Sequence, residues 1–353
     1  AALQAVMAAE RRLQRMQRLH AAQPLDRDDL AAGRGLVTRD VFEFADEPIP
    51  TPGPNQFRIK IEFISLDPAM RGWMNEGKSY VAPVPLGSVM RAYAAGHVDA
   101  SNHPDFKVGD AVQGVIGVQQ YALSDGKGIV KVDTSLAPLE RWTGGLGMPG
   151  WTAYFGLLDV GKPKPGETVV VSAASGAVGS LVGQIAKLKG CRAVGIAGGA
   201  EKCKYVVEEL GFDACVDYKG GNLASELKAA APNGIDVYFE NVGGEILDTV
   251  LLQMNIFGRI PVCGLISAYN ATSVPEGPKN LRVVLTQRLT MQGLIVFDWA
   301  DRVPEAIREL GAWHKAGKLK IREDVRTGGI DAYPDVLNLL YTSGNNGKLV
   351  LKV

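Results

Sequence analysis

Cysteine and histidine are scarce in this sequence. The 353 residues include four cysteines and four histidines, and no two cysteines form a C-x-x-C pair. The cysteines all lie in the second half of the chain, at positions 191, 203, 215 and 263. This pattern is typical of a reducing compartment rather than of a disulfide framework, so we expect a cytoplasmic protein. Since few metal ligands are available, we predict no metal site.

Net charge and long apolar runs are also missing. Lys plus Arg number 38 and Asp plus Glu number 38, so the whole chain has no electrostatic reason to bind nucleic acid or an anionic membrane. No run of about 18 apolar residues is present that would form a membrane-spanning helix. Glycine is frequent, at 42 residues, but it follows no repeat. That excludes a collagen-like chain and is typical of many tight βα turns.

The first 35 residues differ from the rest of the chain. Arginines and apolar residues recur there at helical spacing, which predicts a basic amphipathic helix. A transit peptide, an expression remnant and a surface helix remain open as its interpretation. The residues concerned are Arg11, Arg12, Leu13, Arg15, Met16, Arg18 and Leu19.

Two rhythms of secondary structure follow. Between residues 37 and 132, short alternating segments predict a mixed or antiparallel β domain, and residues 57–63 give its clearest strand. From residue 145 onwards, strands alternate with helices, which predicts a doubly wound parallel sheet. The expected strands of that sheet are 168–173, 192–196, 214–217, 236–240, 258–263 and 289–297.

The tail of the chain is expected to return to the first domain. A helix is predicted from Pro304 to Ala316, and a last strand at residues 348–353. The predicted class is therefore α/β, with a doubly wound parallel Rossmann sheet and a β-rich domain. We expect residues 145–318 to form the Rossmann domain and residues 1–144 and 319–353 to form the β-rich domain, with an atypical segment at 1–35.

The strongest local motif is VVVSAASGAVG at residues 169–179. It predicts a strand, a tight turn and a helix, the context in which backbone N–H groups approach a pyrophosphate at a helix N-terminus. Alanine stands where the first glycine of the fingerprint would be, so the fingerprint is incomplete. The alternative is a tight βα turn without a ligand. The predicted cofactor contacts are Ala174, Gly176, Ala177, Val178 and Gly179.

The end of the second predicted strand indicates which dinucleotide is bound. A site for NAD usually places an acid about 20 residues past the glycines, but glycine occupies that position here, and Lys202 and Lys204 follow on the next helix. A small loop beside a cation favours a 2′-phosphate, hence NADP, with Gly199 and Lys202 as contacts. Two alternatives remain: both lysines are solvated helix residues, or Glu201 plays the part of the acid.

The predicted order of domains suggests the medium-chain dehydrogenase/reductase architecture. Many of its members hold catalytic zinc through Cys and His, and such a site needs three ligands. The β-rich domain has no cysteine before residue 145. His97 follows a glycine, as a ligand histidine does in the zinc enzymes, but Val98 replaces the expected glutamate. We therefore expect His97 to be structural.

Seven stretches carry a closer resemblance. They are SLDPAMR at 65–71, MPGWTAY at 148–154, residues 176–190, ENVGG at 240–244, FGRI at 257–260, CGLISAYN at 263–270 and NNGK at 345–348. Together they resemble the zinc-independent leukotriene B4 dehydrogenase and prostaglandin reductase branch, which includes alkenal double-bond reductases and curcumin-type reductases. The resemblance covers residues 36 to 353 and implies a GroES-like fold for the β-rich domain.

The resemblance implies an activity and a set of residues. The activity is NADPH-dependent reduction of the C=C bond of α,β-unsaturated ketones and aldehydes, by hydride transfer to the β-carbon and protonation of the enolate. Tyr269 matches the active-site tyrosine. Its hydroxyl either donates the proton or only forms a hydrogen bond. One extra residue separates Lys202 from Tyr218 compared with the family pattern. The further cofactor contacts implied are Thr152, Tyr218, Asn241, Cys263, Ser267, Ile295 and Asn345.

Other interpretations stay open. The protein could be an NADPH:quinone oxidoreductase, or an NADP-binding protein without catalytic activity. Arg71 could face the substrate or pair with Asp67, and the second alternative is favoured. The resemblance also implies a homodimer, for which an apolar strand at residues 291–297 would provide the paired edge.

Overall fold

The computed structural model describes residues 15–22, 35–76, 78–271 and 273–353. Within these residues the chain forms fifteen β-strands in three sheets and nine α-helices. None of these helices is long and apolar enough to cross a lipid bilayer. The main clusters of buried apolar side chains combine strands of the two larger sheets with the helices and turns that pack on them.

The smallest sheet lies at the start of the described chain. Strand β1 (Arg15–Ala21) pairs antiparallel with β2 (Phe42–Pro48). The amphipathic helix predicted for this segment is therefore wrong at residues 15–21, and its remainder at residues 1–14 and 23–32 lies outside the described residues. The backbone N–H of Leu19 donates to the carbonyl of Val118 at 3.0 Å. Pairing with distant strands thus overrides a helical spacing that is a weak local preference.

The second sheet is mostly antiparallel and contains seven strands in the order β14-β15-β3-β4-β5-β7, with β6 beside β3. Strands β14 and β15 come from the end of the chain, so the tail returns to this sheet as predicted. The strand predicted at residues 57–63 is confirmed as β3. The members are β3 (Phe57–Ser65), β4 (Tyr93–Ser101), β5 (Ala111–Val115), β6 (Tyr121–Ser124), β7 (Val130–Lys131), β14 (Glu323–Arg326) and β15 (Lys348–Lys352).

The third sheet is parallel throughout. Its strands are β8 (Thr168–Ser172), β9 (Arg192–Ala197), β10 (Ala214–Asp217), β11 (Ile235–Phe239), β12 (Met254–Val262) and β13 (Thr290–Gly293). They lie in the order β10-β9-β8-β11-β12-β13, which is the doubly wound order with its switch point between β8 and β11. All five residues of β8 are buried, as expected for a parallel strand covered on both faces. A ligand is expected at the carboxyl ends of these two strands.

In the part of the chain that the structure describes, nine α-helices connect the strands. The helix α3 packs on β8 and β9 with an apolar face, and α8 confirms the helix predicted from Pro304 to within a residue at each end. The helices are α1 (Ala69–Trp73), α2 (Met148–Phe155), α3 (Gly179–Leu188), α4 (Ala200–Lys204), α5 (Leu223–Ala230), α6 (Gly244–Leu251), α7 (Arg282–Thr286), α8 (Val303–Lys315) and α9 (Tyr333–Asn338).

The predicted α/β class, with a parallel Rossmann sheet and a β-rich sheet, is confirmed. One predicted strand is too long, because β13 ends at Gly293 and residues 296–302 form 3-10 turns. There the ring of Trp299 stacks on Phe155 with centroids 5.7 Å apart, and its indole N–H donates to Asp159 at 2.7 Å. These contacts take the chain out of the sheet. The domain boundaries at residues 144 and 318 stay a prediction.

Candidate active site

The loop between β8 and α3 lies at the switch point. Ala173 has a φ of 51°, and a Cβ on Gly179 would meet the Ala173 carbonyl oxygen at 2.3 Å, so only glycine fits at position 179. The backbone N–H groups of Ala177 and Val178 have no acceptor among the described residues. They lie just before the first turn of α3, where unpaired N–H groups and the helix dipole favour an anion. This cradle fits a pyrophosphate.

Strand β11 contributes the other wall of the crevice. The side chain of Asn241 donates to the carbonyl of Ser172 at 2.8 Å, and its backbone N–H donates to the Ser172 hydroxyl at 2.9 Å. These two bonds tie the carboxyl ends of β11 and β8 together. The predicted contact Asn241 is thereby fixed beside the glycine loop.

Glu240 is a fully buried acid that the prediction overlooked as a site residue. Its carboxylate accepts hydrogen bonds from the Ser172 hydroxyl at 3.0 Å and from the Val242 N–H at 2.6 Å. Its backbone carbonyl accepts the N–H groups of Cys263 and Gly264. Burial raises the pKa of Glu240 despite these bonds. The residue joins the ends of β8, β11 and β12, where Cys263 lies.

A second group of predicted contacts meets at the ends of β9 and β10. Asp217 accepts the N–H of Gly199 at 2.8 Å and that of Lys219 at 3.0 Å. A Cβ on Gly198 would meet the ring of Tyr218 at 2.9 Å and Cε of Lys219 at 3.0 Å. Gly199 has open space around it and a φ of 101°. The structure thus brings Gly199, Tyr218 and Lys219 around one small recess.

Lys202 completes this recess, which we call the cationic recess and define as Gly198, Gly199, Lys202, Tyr218 and Lys219. The Lys202 ammonium donates to the Ser343 carbonyl at 3.0 Å. Burial, and then the charge of Lys219, lower the pKa of Lys202. Neither lysine forms a salt bridge within the described residues. Two lysine ammonium groups without a carboxylate partner among the described residues, next to open space, fit a phosphate.

The C-terminal tail contacts the glycine loop. Gly347 forms an isolated parallel bridge with Gly176, and its N–H donates to the Ser175 carbonyl at 3.2 Å. The side-chain amide of Asn345 donates to the Gly347 carbonyl at 2.9 Å. The predicted contact Asn345 therefore lies in the segment that links the glycine loop to the cationic recess.

Tyr269 lies on the turn that follows β12. Its hydroxyl oxygen accepts the N–H of Leu265 at 3.2 Å, and its own hydrogen has no acceptor among the described residues. Burial is the main cause that raises the pKa of Tyr269, and Cys263 and Tyr80 add to it. The predicted contact Ser267 fixes the same turn, since its hydroxyl donates to the Val242 carbonyl at 2.6 Å.

Arg71 reaches this turn from helix α1, which lies beside the seven-stranded sheet. Its Nε donates to the side-chain oxygen of Asn270 at 3.1 Å, and its Nη1 donates to Asn75. Asp67 pairs with Lys348 at 2.7 Å, so the favoured pairing of Arg71 with Asp67 is wrong. The reason is that Lys348, on β15, forms the salt bridge with the Asp67 carboxylate instead. Arg71 is instead a buried cation held by two amides beside Tyr269.

Two predicted contacts are not joined to these groups. The hydroxyl of Thr152 donates to the Met148 carbonyl within α2 at 2.8 Å. Ile295 follows the end of β13 and is half-buried. No hydrogen bond among the described residues links either of them to the glycine loop, so their contact with a cofactor stays a prediction.

A family described as N-terminal domain of oxidoreductase matches residues 31–132, and one described as zinc-binding dehydrogenase matches residues 177–312. The NADPH-dependent curcumin reductase of Escherichia coli K12 is 47% identical over 324 residues, which cover 90% of this chain and 94% of that protein. The 2-alkenal reductase (NADP(+)-dependent) of Nicotiana tabacum is 44% identical over 85% of this chain and 88% of its own.

A solved structure agrees with these relatives. CurA from Vibrio vulnificus in complex with NADPH is 43% identical, with a TM-score of 0.87 over 96% of this chain and 99% of that chain. This chain belongs to the zinc-independent medium-chain reductases. The predicted family is therefore confirmed.

Zinc does not fit this medium-chain reductase in the parts that the structure describes. No group of three His, Cys, Asp or Glu side chains comes together there. His97, the candidate ligand by sequence, lies on β4 with its Nδ1 2.5 Å from Glu62 on β3. Among the described residues, therefore, His97 is engaged by Glu62 and no set of three donors stands ready for zinc.

The sequence offered a signal for some of the residues that it left unassigned. Lys219 directly follows Tyr218, so its place in the cationic recess could have been inferred from that of Tyr218. Glu240 opens the ENVGG motif, but its full burial depends on strands β8 and β12 and could not be inferred locally. Lys348 closes the NNGK motif, and its partner Asp67 lies 281 positions away.

Proposed function

We propose that this reductase uses NADPH to reduce the carbon–carbon double bond of α,β-unsaturated aldehydes and ketones. The coarser statement rests on the family: the chain is an NADP-dependent oxidoreductase that takes small-molecule substrates. The named activities of its relatives, on curcumin and on 2-alkenals, support the enone class for this chain.

Three features of the crevice support the assignment of NADPH to it. The free N–H groups of the glycine loop suit a pyrophosphate, and the cationic recess suits a 2′-phosphate that NADH lacks. Asn241 lies beside the glycine loop, Cys263 follows the end of β12, and Asn345 lies in the segment that links the glycine loop to the recess. NADPH supplies the hydride when it is bound, and the chain has to orient the substrate and stabilise the charge that develops on it.

The hydroxyl of Tyr269 is the observation that carries the proposal. It accepts the Leu265 N–H, and no acceptor in the described part of the chain takes its own hydrogen, which is left to bond a substrate. When a β-carbon receives a hydride, negative charge develops on the carbonyl oxygen as an enolate, and a positioned donor lowers the energy of that state. Burial raises the pKa of Tyr269 further above neutral pH, so its hydroxyl holds its proton under those conditions. The proton then goes to the α-carbon, from Tyr269 or from water that Tyr269 orders.

A substrate panel tests the proposal. NADPH oxidation is followed at 340 nm with an alkenal, an aryl enone and a quinone, and with NADH in parallel. We expect turnover of the enones with a preference for NADPH. Turnover of the quinone alone would support the quinone oxidoreductase instead. NADPH binding without any turnover would indicate a protein that binds the cofactor without catalysis.

Tyr269→Phe tests the role of the hydroxyl. We expect kcat for the enone to fall by about 10- to 100-fold, with an unchanged KM for NADPH, because the ring stays and only the donor is lost. Tyr121→Phe, a half-buried tyrosine on β6, is the matched control. An unchanged kcat in Tyr269→Phe would remove this residue from the mechanism.

The homodimer and the cytoplasmic location belong to the same proposal. Strand β13 ends the order of the parallel sheet, and exposed apolar side chains flank it at Ile256, Phe257, Leu281 and Leu285. Pairing of this edge with a second copy would cover them. Light scattering at micromolar protein is expected to give twice the chain mass of 37.7 kDa, and a monomer would contradict the proposal. The free cysteines favour the cytoplasm.

A further inference from the structure

The fold brings together two cysteines that the function does not use. Cys203 lies on α4 and Cys215 lies on β10, and their sulfur atoms are 3.0 Å apart, with the Cys215 thiol donating to Cys203. Both residues are free thiols and half-buried. The C-terminal half of the chain thus holds two thiols that are in contact with each other and partly exposed to solvent.

The packing around these sulfurs gives them room. Cys215 lies opposite Gly195 in the pairing of β10 with β9, and a Cβ at position 195 would stand 3.3 Å from the Cys215 sulfur. The same Cβ would meet Val206 at 2.9 Å and Ala174 at 2.7 Å. Glycine at 195 therefore leaves the space that the Cys215 side chain occupies next to Cys203.

We propose that Cys203 and Cys215 form a reversible disulfide that weakens the binding of NADPH at the cationic recess. Hydrogen peroxide is the oxidant. The Cys203 sulfur attacks one peroxide oxygen, the O–O bond breaks, and water leaves after protonation, which gives a sulfenic acid. The Cys215 sulfur then attacks the Cys203 sulfur and expels the second oxygen as water. Two thiols and one peroxide yield one disulfide and two waters, and a dithiol reductant reverses the step.

The order of attack follows from the hydrogen bond between the thiols. The Cys215 thiol donates to the Cys203 sulfur at a distance of 3.0 Å, and this bond lowers the pKa of Cys203. The same pairing, followed by burial, raises the pKa of Cys215. Because the thiolate is the nucleophile, Cys203 reacts first and Cys215 resolves the sulfenic acid.

The bridge would join the two elements that carry the cationic recess. Lys202 precedes Cys203 on α4, and Asp217 lies two residues after Cys215, where it binds the N–H groups of Gly199 and Lys219. A disulfide bond is about 2.05 Å long, so oxidation draws the sulfurs together by about 1 Å and shifts Lys202 against Tyr218 and Lys219. NADPH binding should weaken, whereas NADH has no 2′-phosphate to lose.

Mass spectrometry and kinetics on the whole enzyme test the inference, which rests on the proposed role of the recess. Trypsin cuts after Lys202, Lys204 and Lys219, so the bridge links peptide 203–204 to peptide 205–219 with the loss of two hydrogens. After treatment with hydrogen peroxide we expect this linked peptide, and a KM for NADPH raised by about fivefold, or about 1 kcal/mol. The KM for NADH and the kcat stay unchanged, and dithiothreitol restores the reduced values.

Variants separate the inference from the proposed function. Cys203→Ser and Cys215→Ser should form no linked peptide and keep the reduced KM in peroxide, whereas Cys191→Ser should behave as the wild type. The inference is overturned if the linked peptide is absent from the oxidised wild type, or if oxidation changes the KM for NADPH and for NADH equally or not at all. Failure of the recess itself would show differently, as an absent preference for NADPH in the reduced enzyme.

Discussion

The two large sheets treat charge in opposite ways. Among the described residues, the parallel sheet buries one charged side chain, Glu240, at its carboxyl edge, whereas the seven-stranded sheet and the helix beside it bury Asp67, Arg71 and Lys348. The parallel sheet forms its candidate site mainly from backbone N–H groups and glycines at the ends of strands. The seven-stranded sheet and its neighbouring helix contribute charged side chains to the cleft. The hydrogen-bond and ion-pair partners of these side chains come from distant parts of the sequence.

This difference has an energetic consequence. A backbone cradle depends on the strand–turn–helix geometry and tolerates changes in the surrounding side chains. A buried charge costs several kcal/mol to desolvate and is retained only with a well-placed partner. Substitutions on the parallel-sheet side of the cleft should therefore change the selectivity for the cofactor. Substitutions on the other side should change the stability of the protein and the position of Tyr269.

Lys348→Met should give the largest effect. The ammonium of Lys348 lies 2.7 Å from Asp67 and 2.6 Å from the Leu66 carbonyl, and burial lowers the pKa of Lys348 against the pull of Asp67. Its removal leaves a buried carboxylate without a cation, which costs about 3–5 kcal/mol. Urea unfolding should show this loss in the free energy of unfolding.

Two further variants sharpen that result. Lys352→Met on the same strand is exposed and should change the free energy of unfolding by less than about 0.5 kcal/mol. Glu240→Gln in the parallel sheet keeps an acceptor for Val242 and Ser172, so it should cost about 1 kcal/mol or less. If Glu240→Gln destabilises the protein as much as Lys348→Met does, the contrast between the sheets is wrong.

The same contrast explains what the sequence could reveal. The six parallel strands, the glycine loop and Lys202 follow from local patterns: an apolar run, a glycine turn, a cation after a small loop. Strand β1 could not be predicted, because its pairing with β2 and its bond to Val118 are made by residues far along the chain. The partner of Lys348 and the two amides that hold Arg71 are likewise set by tertiary contacts that leave no local periodicity.

Lys202→Gln and Lys219→Gln should give the next largest effect. If the backbone cradle alone bound the cofactor, neither substitution would matter. A charge-assisted hydrogen bond to a phosphate contributes about 2 kcal/mol, so Lys202→Gln should lower kcat/KM for NADPH by about 30-fold, and Lys219→Gln by about 10-fold. The values for NADH should stay unchanged.

The neighbouring Lys204 is the control for this pair. It lies on the same helix α4, exposed, with its ammonium 4.0 Å from Glu208. Lys204→Gln should leave both cofactors unaffected. If Lys204→Gln also lost activity with NADPH, the general positive charge of α4 would explain the effect rather than the recess. If Lys219→Gln had the same kcat/KM as the wild type, Lys219 would not belong to the phosphate site.

Arg71→Lys should give the smallest effect and tests how the two sheets cooperate. Lysine keeps the buried charge but cannot donate from two fixed nitrogens to Asn270 and Asn75. The turn that carries Tyr269 should then lose part of its anchoring, and a small displacement of a donor is costly in catalysis. We expect kcat for the enone to fall by about fivefold, with the KM for NADPH unchanged.

Asn270→Ala removes the acceptor from the other side of the same contact and should reproduce that fall. The double variant should be no worse than either single one, because both changes remove one interaction. Arg39→Lys is the matched control, because Arg39 forms an exposed salt bridge with Asp331 at 2.9 Å. This variant should keep full activity. Additive losses in the double variant would show that Arg71 and Asn270 act separately, and that Tyr269 is positioned by its own turn rather than by the opposite sheet.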